Sequence, residues 1–124
     1  MDKLNAAGIV TLHDETLHDK DAYNGSYERA RKTIQSYLDK HPSIDVVLDI
    51  HRDAMTAQNG VKYKTLCEID GKPAAQLMLV MSTGESGLSH PNWQENLSLA
   101  LKLTALLEQT DPGLTRPVTL REHR

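Results

Sequence analysis

The tripeptide His51-Arg52-Asp53 combines the side chains best suited to chemistry in this sequence. It directly follows the apolar run Ile44–Ile50, which is typical of a buried strand. A metal-bound histidine often passes its second ring proton to a carboxylate or a carbonyl, and an arginine can hold a carboxylate in a fork. His51 is therefore a candidate metal ligand and Arg52 a candidate substrate-binding residue. On the pattern alone, a surface ion pair that ends the strand is the favoured interpretation, because a lone histidine is a weak metal signal.

A second polar segment lies between residues 13 and 25. Its histidines, His13 and His18, stand in a predicted loop and lack the compact helical spacing of a zinc peptidase. Solvated loop polarity is the better interpretation of this segment. The following stretch, Tyr23–Ser26, is typical of a turn and a helix cap, with Ser26 as the cap residue. A substrate-binding role for Asn24 is the open alternative.

The elements that must position these residues alternate between strand and helix. Strands at Ala7–Leu12 and Ile44–Ile50 flank a helix at Tyr27–Lys40, so we expect a βαβ unit with parallel strands. Its second strand would place His51 at a carboxyl end, where open α/β sheets bind ligands. Further along, the pattern predicts a strand at Lys62–Ile69, a hairpin turn at Asp70-Gly71, a strand at Ala74–Ser82 and a largely buried helix from Pro91 or Asn92 to Gln109.

Composition excludes several classes of protein. The 124 residues carry a formal net charge of −3, with no long basic run, so a nucleic-acid partner is not expected. The longest apolar run is far shorter than the roughly 20 residues of a membrane span. A single cysteine, Cys67, rules out an internal disulfide and a cysteine-rich zinc cage. We therefore expect one globular α/β domain.

Several stretches spread along the chain resemble the stage II sporulation protein P family, in the order in which the family has them. They are Leu12-His-Asp-Glu-Thr-Leu-His-Asp19, Tyr23-Asn-Gly-Ser-Tyr27, Val46-Val-Leu-Asp-Ile-His-Arg-Asp-Ala54, Ala74-Ala-Gln-Leu-Met78, His90-Pro-Asn-Trp-Gln-Glu-Asn-Leu97 and Pro112-Gly-Leu-Thr-Arg-Pro117. Such a dispersed match is more specific than any single motif.

The resemblance implies a zinc-dependent N-acetylmuramoyl-L-alanine amidase, which cuts the amide between the peptidoglycan glycan and its stem peptide during sporulation. It implies a three-layer α/β fold, with a mostly parallel twisted sheet flanked by helices. It also implies zinc held by a histidine and a glutamate of an early His-Thr-His…Glu segment and by a later histidine, which matches His51. The parent protein would be extracytoplasmic, anchored at the sporulation septum, and partnered by peptidoglycan and sporulation-complex proteins.

Two parts of the family pattern have no match in this sequence: the early His-Thr-His…Glu segment and the catalytic glutamate, which is expected beyond Arg124. We therefore expect residues 1–124 to be one incomplete amidase domain whose terminal strands are missing, inactive alone and able to self-associate through exposed sheet edges. The alternative is a non-catalytic amidase-like module that binds peptidoglycan or a protein partner.

Overall fold

The computed structural model describes residues 1–20, 22–52, 54–83 and 90–122, and the chain divides into two compact units, Met1–Ile50 and His51–Arg124. The elements follow one another along the chain as α1 (Asp2–Ala6), α2 (Ser26–Lys40), β1 (Met55–Thr56), β2 (Lys62–Tyr63), β3 (Leu66–Ile69), β4 (Lys72–Ala75), β5 (Val80–Ser82), α3 (Trp93–Thr110) and β6 (Thr119–Arg121). Among the described residues, no helix is long and apolar enough to cross a bilayer.

The amino-terminal unit is organised around α2. The sequence predicts this helix within one residue, and it ends at Lys40, just before His41 and Pro42. One face is half-buried, at helical spacing (Ala30, Thr33, Ile34, Tyr37 and Leu38). The cap prediction is wrong: the residue before the helix is Gly25, with φ +80°, and no side chain caps the first turn.

The two strands predicted on either side of α2 are absent from the described residues. A strand at residues 7–12 would need its main-chain N–H groups to bond to a neighbouring strand. Two of these N–H groups instead form local hydrogen bonds. The Ile9 N–H donates to the Leu4 carbonyl at 2.9 Å, and the Thr11 N–H donates to Asn5 Oδ1 at 3.3 Å. Both partners belong to α1, a short helix that the apolar pattern does not predict. Residues 44–50 have no regular structure, and Val10 and Ile50 are 92% and 87% exposed.

The carboxy-terminal unit begins with two short antiparallel pairs, β1–β2 and β3–β4. The hairpin predicted at Asp70-Gly71 is confirmed: both residues have positive φ, 52° and 71°, as a two-residue turn of type I′ requires. The predicted strand at Lys62–Ile69 is divided into β2 and β3. The predicted strand at Ala74–Ser82 is divided into the end of β4 and β5.

A βαβ unit does exist, in the second half of the chain. Strands β5 and β6 are parallel, with Val80 opposite Thr119, and α3 connects them and packs against β5. The pairing extends on both sides, through the bridge between Leu77 and Thr115 and the bond from the Thr83 N–H to the Arg121 carbonyl at 3.0 Å. The buried positions among the described residues, Ala100 at 2% and Leu114 at 8% exposed, both belong to the carboxy-terminal unit.

The prediction of a three-layer fold with a mostly parallel sheet is therefore wrong. The described strands form three separate two-stranded sheets, two antiparallel and one parallel, so this is a small mixed α/β structure. Apolar runs indicate which side chains favour burial, but a parallel sheet also needs ladder partners that are distant in sequence. The helix α3 also buries less than expected: one stripe is covered (Trp93, Leu97, Ala100, Thr104 and Leu107), while Leu101 and Leu106 are exposed.

Candidate functional site

His51 and Arg52 lie side by side at the start of the carboxy-terminal unit, before β1, and both are exposed. Because no strand forms at residues 44–50, the expected position of His51 at a strand's carboxyl end is wrong. Asp53, the third member of the tripeptide, lies outside the described residues. The structure thus keeps His51 and Arg52 together by chain adjacency, without a sheet to position them.

Asn24, the third candidate, lies in the amino-terminal unit, in the turn that leads into α2. The turn is closed by the Ser26 N–H, which donates to the Tyr23 carbonyl at 3.1 Å. Gly25 adopts a left-handed φ of +80°, and a Cβ there would lie 3.1 Å from Arg29 Nη1. The backbone angle favours glycine here, and a Cβ would also crowd the guanidinium of Arg29.

Arg29 organises this turn, a role that the sequence analysis missed. Its Nε donates to the His18 carbonyl at 2.7 Å, Nη1 to the Asn24 carbonyl at 3.3 Å, and Nη2 to the Ala22 carbonyl. One half-buried guanidinium thus binds main-chain oxygens at three points of the segment before α2. No residue spacing in the sequence predicts such a role, because every residue of a loop carries a main-chain carbonyl that could accept the bond.

The polar segment at residues 13–18 is likewise fastened to α2. His18 Nε2 and Thr33 Oγ1 share a hydrogen bond of 2.9 Å, and the Tyr37 hydroxyl donates to Asp14 Oδ2 at 3.0 Å. Asp14 also accepts the Thr16 N–H at 2.9 Å, and the bonds from Thr16 are the main cause that lowers the pKa of its carboxyl. Asp14 is exposed, as the interpretation of a solvated loop expects, and Asp14 and His18 also have specific partners that the sequence did not predict.

Glu108 plays a comparable part in the carboxy-terminal unit. Its carboxylate accepts the Gly113 N–H at 2.6 Å, the Thr115 hydroxyl at 2.8 Å and the Thr115 N–H at 3.3 Å. These bonds, that from Gly113 foremost, lower the pKa of Glu108. Glu108 therefore ties the end of α3 to the turn that starts the parallel pairing at Thr115.

The family model of Stage II sporulation protein P (SpoIIP) matches residues 1–124, the whole of this chain. The chain belongs to the stage II sporulation protein P family. No curated protein and no solved structure gives a significant match to the sequence. Membership of the stage II sporulation protein P family implies a hydrolase of peptidoglycan with a role in sporulation.

The zinc that the family resemblance implies needs a ligand set, and the described residues do not fit one. Within residues 1–20, 22–52, 54–83 and 90–122, no three or more His, Cys, Asp and Glu side chains group so as to hold a metal ion. Catalytic zinc takes three protein ligands and an open position. In this member of the stage II sporulation protein P family, His51 is thus a single candidate ligand. No reaction step through zinc can be built from the described residues.

Proposed function

We propose that this chain is part of a zinc-dependent N-acetylmuramoyl-L-alanine amidase, which cleaves the amide between the glycan lactyl group and the stem peptide. The observation that carries the proposal is the family match over residues 1–124. The sequence Asp49-Ile50-His51-Arg52 supports it, because it stands where the resemblance puts one zinc ligand. The sporulation role and the hydrolysis of peptidoglycan come with the family, while the bond cleaved and the metal are our proposal.

Each candidate residue has a chemical role in this proposal. His51 offers an exposed imidazole as one of three zinc ligands. Arg52 offers an exposed guanidinium that can hold a stem-peptide carboxylate through two parallel hydrogen bonds. Asn24 offers an exposed amide, a donor and an acceptor, for the neutral polar groups of the substrate. No residue of this sequence is proposed as the catalytic carboxylate.

The location and partners follow the same reasoning. We propose action outside the cytoplasmic membrane, at the sporulation septum, in a membrane-anchored parent with peptidoglycan as substrate and sporulation-complex proteins as partners. The family match supports these proposals.

The experiment compares the 124-residue chain with the same chain extended by the His-Thr-His…Glu segment and the carboxylate-bearing segment that the resemblance names. Each is incubated with peptidoglycan and Zn²⁺, and the digests are assayed for new amino groups on L-alanine and new reducing ends on the glycan. We expect L-alanine amino groups only from the extended chain, because it alone offers three zinc ligands. The extended chain with His51→Ala should retain no zinc and should expose no new L-alanine amino groups.

The outcomes separate the hypotheses. New reducing ends without L-alanine amino groups would contradict an amidase and indicate glycan cleavage. Normal zinc content in the extended His51→Ala protein would remove His51 from the site. If neither chain cleaves anything but both sediment with peptidoglycan, the non-catalytic amidase-like module is the correct function.

A further inference from the structure

Two tyrosines stand out on the amino-terminal unit because they are exposed beside an ordered turn. Tyr23 is 71% exposed and Tyr27 is 47% exposed, with Asn24 between them in sequence. Large aromatic side chains usually bury most of their surface, so an exposed aromatic pair is informative. The bond that closes the turn, from the Ser26 N–H to the Tyr23 carbonyl, brings the backbone of Tyr23 back to the start of α2, which carries Tyr27.

The backbone that carries these side chains is fixed before any ligand arrives. Arg29 binds the carbonyls of Ala22 and Asn24, on either side of Tyr23. Gly25 supplies the left-handed angle that turns the chain into α2. Arg29 binds the main-chain carbonyl of Asn24 and not its side chain. The side-chain amide of Asn24 makes no hydrogen bond within the described residues. A preorganised surface loses less conformational entropy when a ligand binds.

We propose that Tyr23, Asn24 and Tyr27 form a binding surface for the glycan strand of peptidoglycan. We call these three residues the tyrosine platform. The C–H groups on one face of a pyranose ring form a flat apolar surface that packs against an aromatic ring. The Asn24 amide can pair with the N-acetyl group of an amino sugar, which offers one donor and one acceptor. The inference rests on the proposed function, which supplies peptidoglycan as the ligand.

The charges around the platform favour a neutral glycan over the charged stem peptide. Its three members are two phenols and one carboxamide, which are hydrogen-bonding groups rather than ionic ones. Arg29, the cation bound at this turn, already binds three carbonyls. Glu28, beside Tyr27, forms ion pairs with Arg31 at 3.1 Å and with Lys32 at 4.0 Å. A carboxylate of the stem peptide would find no uncommitted cation at these residues, whereas a sugar needs none.

The test measures binding of N-acetylglucosamine tetramer, a peptide-free analogue of the glycan, to the 124-residue chain by nuclear magnetic resonance. We expect the Asn24 side-chain amide and the ring signals of Tyr23 and Tyr27 to shift with added tetramer. Tyr23→Ala should weaken binding by about tenfold, the effect of one lost aromatic contact. Tyr23→Phe should bind like the wild type, because it keeps the stacking ring.

The matched control is Tyr63→Ala, which removes a tyrosine that is 54% exposed in the other unit and should leave binding unchanged. The backbone amide spectrum of α2 shows whether each variant is folded. No shift at millimolar tetramer would overturn the proposal, as would shifts centred on Tyr63 or wild-type affinity in folded Tyr23→Ala. Because the readout needs no hydrolysis, tetramer binding to the 124-residue chain, together with no amide cleavage of peptidoglycan by the extended chain, would keep the platform and reject only the amidase.

Discussion

Each of the two units of this chain is stabilised internally by a different kind of interaction. In the amino-terminal unit, side chains of α2 bind a preceding loop, through Arg29, Thr33 and Tyr37, and no described residue is fully buried. In the carboxy-terminal unit, strand ladders and an α3 that packs on β5 enclose Ala100 and Leu114. Side-chain hydrogen bonds can fix the shape of a loop, but burial of apolar surface supplies most of the free energy of folding.

This difference has a consequence for where recognition and stability reside. The tyrosine platform and Asn24 belong to the unit fastened by hydrogen bonds, where a single side chain determines the shape of the turn. The buried apolar positions belong to the other unit, where α3 packs against the parallel pair. We therefore expect substitutions in the two units to differ both in size and in the property that changes.

The largest effect should come from Leu114→Ala in the carboxy-terminal unit. Leu114 is 8% exposed, and its carbonyl accepts the Leu77 N–H at 2.9 Å. Loss of its buried methyl groups should lower the free energy of unfolding by about 2–4 kcal/mol, through lost transfer energy and a cavity. Urea unfolding followed by fluorescence of Trp93 reports on this unit. Leu106→Ala, at a residue that is 59% exposed on α3, should change the midpoint little. Equal effects of the two variants would show that the burial contrast is wrong.

Arg29→Ala should act on the amino-terminal unit, locally and somewhat less. Loss of its bonds to three carbonyls should cost the turn about 1–3 kcal/mol. Hydrogen exchange of the Ser26 and Lys20 amides measures this loss, since both donate to carbonyls within the fastened segment. Arg31→Ala is the control, because Arg31 on the same helix forms an exposed ion pair with Glu28 and binds no loop carbonyl among the described residues. If Arg29→Ala leaves these amides as protected as in the wild type, Arg29 does not organise the turn.

Sequence predicted the local elements well and the long-range ones poorly. The helix α2 and the hairpin at Asp70-Gly71 depend on neighbours within a few residues, so periodicity and turn chemistry were sufficient. The strand predicted at residues 44–50 would need a partner strand elsewhere in the chain, and the apolar pattern does not specify one. Of the candidate site residues, Asn24 was found as a turn residue. The role of Arg29 was missed, because its partners are main-chain carbonyls, which no side-chain pattern reveals.

Glu108→Gln should produce a smaller change that depends on pH. The bonds from Gly113 and Thr115 lower the pKa of Glu108 from its ordinary value of 4.5, so the ionised form stabilises the folded state. This contribution is present above pH 4.5 and is lost as the pH falls through the lowered folded-state pKa. We expect the stability difference between wild type and Glu108→Gln to shrink across that acidic range. Glu95→Gln on the same helix is the control. A difference that does not vary with pH would show that the charge of Glu108 is unimportant.

The smallest effect on unfolding should come from Ile50→Thr, and it tests the contrast between the units most directly. Ile50 is 87% exposed in a segment that forms no strand, so in dilute solution the change should cost less than about 0.5 kcal/mol. The matched variant Ile69→Thr alters a half-buried isoleucine of the β3–β4 ladder and should cost more. We also expect the wild type to self-associate as its concentration rises, because the segment at residues 44–50 exposes apolar side chains outside any strand. Sedimentation should then show weaker association for Ile50→Thr than for Ile69→Thr. A monodisperse wild-type monomer over a wide concentration range would contradict self-association, and a large cost of Ile50→Thr in that monomer would show that residues 44–50 are packed after all.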